Sequence, residues 1–298
     1  MATALRRGKA RAMTPAAFKT IVLGLAAAII VAGAYLAVQV RSQQVLQARH
    51  PLRPTTVRAA VTPEAIAAGG HLVAVAGCGL CHGRDLAGKM LGAAGSPVAA
   101  PNLTRVAARR TDAELDHAIR GGVRPNGTSE FGMPSHVYVG FTDAETASIL
   151  GYLRSLKPLG AVTVRPPPGF MQRVDLAVGF MHPEVGRISG ARPPIDLGLR
   201  FQAGRHLAAI SCGQCHGTDL AGGHGAPGPD MMVRGGYSRA QFHALMRTGD
   251  TPAGRELGLM SETARASFVH FTDPEIDAIY DYLDARDVRL DGPKPGGH

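Results

Sequence analysis

The sequence contains no Trp, and its aromatic residues make up only 5% of the chain. That scarcity excludes a large aromatic core. With 38 Gly and 21 Pro among 298 residues, the composition points to short elements joined by much loop. Domains built this way are hard to stabilise by burial alone and often depend on a bound metal or cofactor. Acidic residues are missing from the first 58 positions, which hold nine Lys and Arg. The formal net charge of the whole chain is +9, so everything after residue 58 is formally neutral. The basic character therefore belongs to the N-terminal segment. The basic footprint that nucleic acid requires is absent from the rest, which excludes that partner. Cysteine is scarce as well: there are four, confined to two short stretches.

Residues 21–40 (IVLGLAAAIIVAGAYLAVQV) carry no charge. As a helix they span about 30 Å, the thickness of a bilayer core. Basic residues precede this run and arginines follow it. The competing reading is a cleaved signal peptide, whose apolar region is usually about 7–15 residues. The longer run favours an uncleaved anchor, and either reading carries the rest of the chain across the membrane. Residues 1–20 are then expected to be a cytoplasmic tail and 41–62 a solvated tether.

The remainder is duplicated. AGGHLVAVAGCGLCHGRDLAG (68–88) matches AGRHLAAISCGQCHGTDLAG (203–222) with a one-residue gap, and FTDAETASILGYLRSL (141–156) matches FTDPEIDAIYDYLDA (271–285). Such self-similarity marks two copies of one structural unit. Each copy is expected to be helical, with Thr111 or Ser238 capping a middle helix. Thr142 with Glu145, and Thr272 with Glu275, are expected to form capping boxes on the last helix. The buried face of that helix is expected to carry Ala144, Ile149, Tyr152 and Leu153, or Ile276, Ile279, Tyr282 and Leu283. The expected units are 63–156 and 201–286. A proline-rich connector at 157–200 is expected to pack over both, and 287–298 to form a tail.

Each copy contains Cys-x-x-Cys-His: Cys78, Cys81 and His82, then Cys212, Cys215 and His216. Two cysteines so close together make a poor disulfide staple. A zinc ribbon places its two Cys-x-x-Cys pairs about 15–20 residues apart, against more than a hundred here. Covalent haem fits. Cys-x-x-Cys-His is the c-type attachment signal, in which both thiols bond one haem and the adjacent His is the proximal ligand of its iron. Two covalently bound haem c groups are expected.

A sixth ligand remains to be assigned. Met133 lies in the Gly/Pro-bounded loop SEFGMPSH, with His136 as its competitor. In the second copy Met260 follows Leu-Gly as Met133 follows Phe-Gly, but lies three residues farther from the next match, so an insertion is implied. Met246 falls in a helix and reads as core, Met231 and Met232 come too early, and His270 is the residual competitor. The carbonyls of Pro101 and Pro229 are placed to accept the free ring N–H of each proximal His.

With these residues in place the chain resembles the class I c-type cytochromes in tandem. The resemblance implies an all-α fold of two such domains behind one N-terminal transmembrane helix. It implies that Gly69 and Gly204 are the small residues where first and last helices cross, with Tyr152 and Tyr282 as aromatic partners. The haem-motif stretches are similar to those of cytochrome subunits that take electrons from membrane-associated periplasmic dehydrogenases, which often carry three haems. Dihaem subunits of cbb-type oxidases are also anchored, but usually show Trp and acidic residues around the span, absent here. The expected function is electron transfer between a donor (a dehydrogenase or quinol-oxidising complex) and a respiratory acceptor such as a terminal oxidase. The expected location is the cytoplasmic membrane, in a single pass, with the haem domains on the periplasmic side. The chain is not expected to be an enzyme by itself. A dihaem peroxidase, which needs one open iron, is the competing class.

Overall fold

Helix α1 (Pro15–Gln47) begins where the Thr14 hydroxyl accepts from the Ala17 amide and Pro15 sets the first turn. The structure is a computed structural model and describes residues 14–92, 98–223, 227–233 and 236–291. Most of the expected N-terminal tail, and the end of the C-terminal one, lie outside the described residues. Helix α1 is about 50 Å long, beyond the roughly 30 Å of a bilayer core, and its apolar window is not buried against the rest of the chain.

The segment expected to be a solvated tether is structured. Helix α1 continues through residue 47, and the chain after it lies along the first unit as an extended strap. The His50 amide donates to the Gly127 carbonyl (2.8 Å) and the Ala60 amide to that of Ala147 (2.8 Å). The Ala59 amide donates to the Asp112 carboxylate (2.9 Å), and Val57 is buried. An extended backbone must place its donors somewhere, and the first unit supplies the acceptors.

The first unit comprises α2 (Pro63–Val75), the single-turn α3 (Cys78–His82), a hairpin of β1 (Lys89–Leu91) and β2 (Val98–Ala100), then α4 (Leu103–Ala107), α5 (Asp112–Ile119), α6 (Ser135–Tyr138) and α7 (Asp143–Ser155). The strands are antiparallel with Lys89 opposite Ala100. The connector forms α8 (Phe170–Val178) and α9 (Glu184–Gly190). The second unit has α10 (Gln202–His216), α11 (Arg239–Thr248), α12 (Leu259–Ala266) and α13 (Asp273–Asp291). Among the described residues β1 and β2 are the only strands, so the fold is all-α as expected. The one-residue mismatch of the repeats is absorbed at Gly77, whose φ of 74° breaks the first helix before the Cys-x-x-Cys-His motif. In the second unit α10 runs unbroken through its motif.

The expected caps are present. Thr111–Glu114, Thr142–Glu145 and Ser238–Gln241 are reciprocal capping boxes, and Thr272 exchanges the same bonds with Glu275. Ile276, Ile279, Tyr282 and Leu283 are fully buried. In the first unit Ile149 and Leu153 are buried, but Ala144 is exposed and Leu150 takes the core position. Ala144 lies in the first turn of α7, ahead of the crossing that buries the helix. Likewise α13 does not stop at residue 286: it continues to Asp291 and buries Asp287 completely.

Two contacts close the units. At the α2/α7 crossing a Cβ on Gly69 would fall on the Ser148 carbonyl, and Gly70 packs against the Tyr152 ring. At the α10/α13 crossing a Cβ on Gly204 would fall on the Ala278 carbonyl, next to Tyr282. Behind each crossing an arginine ties the middle helix to the start of the last one. Arg120 binds Asp116, the Phe141 carbonyl and Asp143 (2.7 Å to the last). Arg247 binds the Val269 and Phe271 carbonyls and Asp273 (2.6 Å to the last).

The units pack through an internal two-fold relation in which each contact is made twice. His71 of α2 binds Glu275 of the second unit (2.8 Å), and its counterpart His206 binds Glu145 of the first (2.7 Å). Val75 enters the second core, and its counterpart Ile210 enters the first. The connector covers several surfaces: its start binds Asn102, α8 packs on α1, α9 packs on α6, and the Ile195 carbonyl accepts from the Tyr282 hydroxyl.

Because the obstacle at each crossing is backbone, a methyl there cannot be accommodated by a rotamer change. Gly204→Ala is expected to destabilise the second unit by about 3 kcal/mol, the upper part of the overpacking range. Thermal unfolding followed by circular dichroism measures this, and a loss below about 1 kcal/mol would show that the helices separate freely.

Candidate cofactor sites

Each Cys-x-x-Cys-His turn is followed by the same closed loop. The Gly88 amide donates to the His82 carbonyl (2.8 Å), and the Gly222 amide to the His216 carbonyl (2.8 Å). Within these loops Leu86 (φ 58°) and Leu220 (φ 64°) adopt left-handed backbone. Such a conformation costs on the order of 1–3 kcal/mol for a residue with a side chain. Both leucines are buried, and the strain recurs at matched positions, so the loop shape is a requirement of the motif.

The loops aim both histidines the same way. His82 Nδ1 lies 2.8 Å from the Pro101 carbonyl, and His216 Nδ1 lies 2.7 Å from that of Pro229. A carbonyl can only accept, so each Nδ1 carries the proton and each Nε2 presents a lone pair. His82 is buried, and burial lowers its pKa, which keeps the ring neutral. His216 is half-buried. The thiols of Cys78 and Cys212 are pushed up to about 12, chiefly by burial.

A cavity of about 600 Å³ opens in the first unit. Its lining brings together Cys78, His82, Pro101 and Met133 with an apolar wall that includes Leu115 and Phe141. The size lies within the range of small-molecule and cofactor pockets. His82, with its lone pair on Nε2, lines this cavity together with Cys78 and Met133. The donor set and the apolar walls fit a haem held by thioether bonds. Gln214 of the second unit lines the adjoining pocket with Cys81, so the first site is completed from across the interface.

Met260 stands in register with Met133. The offset between matched residues is constant from Arg120/Arg247 to Met133/Met260, and the bridges Val123–Ser129 and Asp250–Glu256 fall at matched positions. The implied insertion therefore lies after the methionine, where α6 has four residues and α12 eight. A buried serine pins each segment: Ser135 Oγ donates to the Ala118 carbonyl (2.8 Å), and Ser261 Oγ to the Gly249 carbonyl (2.5 Å). Each methionine packs against the core of its own unit. Met260 sits in the first turn of α12, whereas Met133 lies in a loop.

The competitors are otherwise engaged. His136 Nδ1 is 2.7 Å from the buried Glu184 carboxylate of the connector. His270 is exposed, and Met246 is core. Other residues at the sites carried no sequence signal. Arg124 and Arg165 converge on Glu130 at the cavity (2.9 and 3.5 Å), but Arg165 comes from the connector, outside the repeat. The Asn102 amide donates to the Leu159 and Ala161 carbonyls (2.6 and 2.9 Å), fixing the loop that holds Pro101. In the second unit Arg286, 1% exposed, binds the Leu220 carbonyl and Asp230, next to Pro229.

The two motifs also approach each other. Burial raises the Cys215 thiol, and the nearby charge of Cys81 adds to that rise. Cys81 of the first motif and Gln214 of the second line one pocket, so the two motifs border the same interface.

Comparison with known proteins identifies the family of both units. The cytochrome c family profile matches residues 66–157 and 201–286, more than half of the chain. The fructose dehydrogenase cytochrome subunit of Gluconobacter japonicus is 26% identical over 269 aligned residues, covering 78% of this chain. The chain spans 54% of the length of that relative.

The paired His–Glu contacts carry a pH dependence. Burial acts to raise Glu145 and Glu275, but hydrogen bonds from His206 or His71 and from the helix caps outweigh it, leaving both carboxyls below their ordinary 4.5. A depressed carboxyl contributes stability above its unfolded value, lost as pH falls through the folded one. Glu145→Gln with Glu275→Gln keeps the capping boxes and removes the charges. The double variant is expected to lose about 1–2 kcal/mol at neutral pH. In thermal unfolding the gap from the parent is expected to close in acid; a gap independent of pH would contradict the assignment.

Proposed function

The chain belongs to the cytochrome c family, and from that premise we propose that it is a membrane-anchored, periplasmic dihaem electron carrier serving a dehydrogenase. The observation that carries this reading is the doubled geometry of Pro101 with His82 and Pro229 with His216. Haem c supplies one-electron ferrous–ferric chemistry when bound. The protein supplies ligands, orientation and electrostatics.

In this reading Cys78 and Cys81 hold one haem, and Cys212 and Cys215 the other. His82 and His216 would ligate the iron of each haem through Nε2, and Met133 and Met260 would supply its second protein ligand. Methionine ligation raises the reduction potential and closes the iron to small ligands, which suits electron transfer. Arg124 and Arg165, which line the first cavity, would offer positive charge to the acidic groups of a bound haem. Gln214 beside Cys81 brings the second motif to the edge of the first site, so the shared interface offers a route for an electron between units. The name of the Gluconobacter relative supports a dehydrogenase as donor. The apolar α1 supports an anchor that keeps both units beside a membrane-bound partner, raising effective concentration without new contacts.

Pyridine-haemochrome analysis is expected to give two haems per chain, falling to one when Cys212 and Cys215 are both replaced by Ala. The oxidised protein is expected to show the Met-to-iron near-infrared band at two haems' strength, and Met133→Ala to halve it. A parent protein with one haem's worth of band, lost altogether in Met133→Ala, would overturn the Met260 assignment. Peroxide turnover at the remaining iron would then favour the dihaem peroxidase.

A further inference from the structure

Helix α8 lies in the connector, and neither the repeat nor the cofactor sites require it. Its side chains divide sharply. Gln172 and Leu176 are buried against the protein, whereas Phe170 (51%), Met171 (59%) and Val178 (62%) are exposed. At about 100° per residue, Phe170, Met171, Val174 and Val178 fall within one arc of roughly 100°. Phe180, just past the helix, is 83% exposed. The Asp175 carbonyl accepts from the Phe180 and Met181 amides (2.8 and 3.1 Å), which closes the helix and turns Phe180 outward. Soluble surfaces rarely gather large apolar side chains this way without a partner.

The placement of this face against α1 identifies the partner. Phe170 stacks on Tyr35 of α1, with ring centroids 5.8 Å apart and planes 16° apart. Arg173 reaches Ser42 and Gln43, farther along α1 (3.3 and 3.4 Å). Tyr35 is five residues inside the end of the apolar run at Val40, a depth of about 7–8 Å. Amphipathic helices at bilayer surfaces bury their apolar side by about 5–10 Å. Tyr35 and Leu36 are themselves exposed, so the face of α8 continues an apolar surface that a bilayer covers. Arg173 sits where the run turns polar, as cationic side chains at a headgroup boundary do.

We propose that α8 and Phe180 form a second membrane contact, lying in the polar–apolar boundary of the leaflet from which α1 emerges. This rests on the reading of α1 as an uncleaved anchor. A single helix leaves the domains free to swivel about it. A second contact fixes their orientation, and so the face they present to a membrane-bound partner. Because α9 of the same connector holds His136 through Glu184, the constraint passes directly to the first cofactor unit.

The test uses the full haem-loaded chain in phosphatidylcholine–phosphatidylglycerol vesicles. Single cysteines replace Val178, Phe180, Ala28 in α1, or Ser189 on α9, and each carries a nitroxide. Power saturation compares relaxation by oxygen, which enriches in lipid, with that by a water-soluble nickel chelate. Labels at 178 and 180 are expected to share the oxygen preference of the Ala28 label, severalfold above that at 189. Labels at 178 and 180 that follow 189, beside a lipid-exposed label at 28, would overturn this contact alone. Labels shielded from both relaxers would assign the face to a protein partner or a second copy, and equally overturn it. A mature chain lacking residue 28 would overturn the anchor and this contact together.

Discussion

The structure depends on two places where backbone meets backbone with no side chain between. Gly69 lies against the Ser148 carbonyl and Gly204 against that of Ala278. A glycine inside a helix is unfavourable by roughly 0.5–1 kcal/mol relative to alanine. It is tolerated here because removing the Cβ lets the first and last helices of each unit close to backbone contact. That approach sets the direction in which α2 and α10 run, and both end at a Cys-x-x-Cys-His turn. Tyr152 and Tyr282 flank the contacts and limit sliding. The position of each histidine is thus decided a dozen residues earlier, at a crossing with no chemistry of its own.

The same crossing builds the interface. The last helices begin with capping boxes whose glutamates satisfy their own amides and still present an oxygen to the other unit. The histidine two residues beyond each crossing glycine binds the glutamate of the opposite unit. An interface in which residue i meets j, and the counterpart of j meets that of i, is the isologous arrangement of a two-fold dimer. Here it lies within one chain, and it brings Gln214 of the second motif beside Cys81 of the first. Val75 and Ile210 extend the exchange into the cores, so neither unit has a complete core alone.

Much of this was legible in the sequence because the signals are local. Cys-x-x-Cys-His, the Thr-x-x-Glu caps and the period of apolar residues in the last helices each reside in a few adjacent positions. What was not legible lies between segments. The strap at 48–60 looked solvated because its polar residues face unit one only once the unit exists. Asn102, Arg165 and Glu184 acquire roles through the connector, which shares no pattern with the repeat. The insertion in the second unit was detectable in length but not in place, since only the matched bridges show that it follows Met260. Ala144 failed for a related reason: helical period marks a face but not where packing begins along it.

The two units keep the same histidine–proline hydrogen bond in the motif and differ in what surrounds it. In the first, the Pro101 loop is held by Asn102 binding carbonyls of the connector, and cationic Arg124 and Arg165 meet at the single carboxylate of Glu130. In the second, the Pro229 loop is held by Arg286, buried beside Asp230 and Asp287 (2.8 and 3.6 Å), so its charge is balanced within the protein. A buried cation of that kind stays folded only with its partners in place. Near a site of low dielectric, an excess of positive charge favours an added electron and a compensated ion pair does not. Hydrogen bonds within the repeat fix the histidines identically, while residues at its margins set the field at each one. Duplication has therefore preserved the hydrogen bonds that orient the histidines and separated them from the electrostatics around them, so two otherwise equivalent sites sit in different fields.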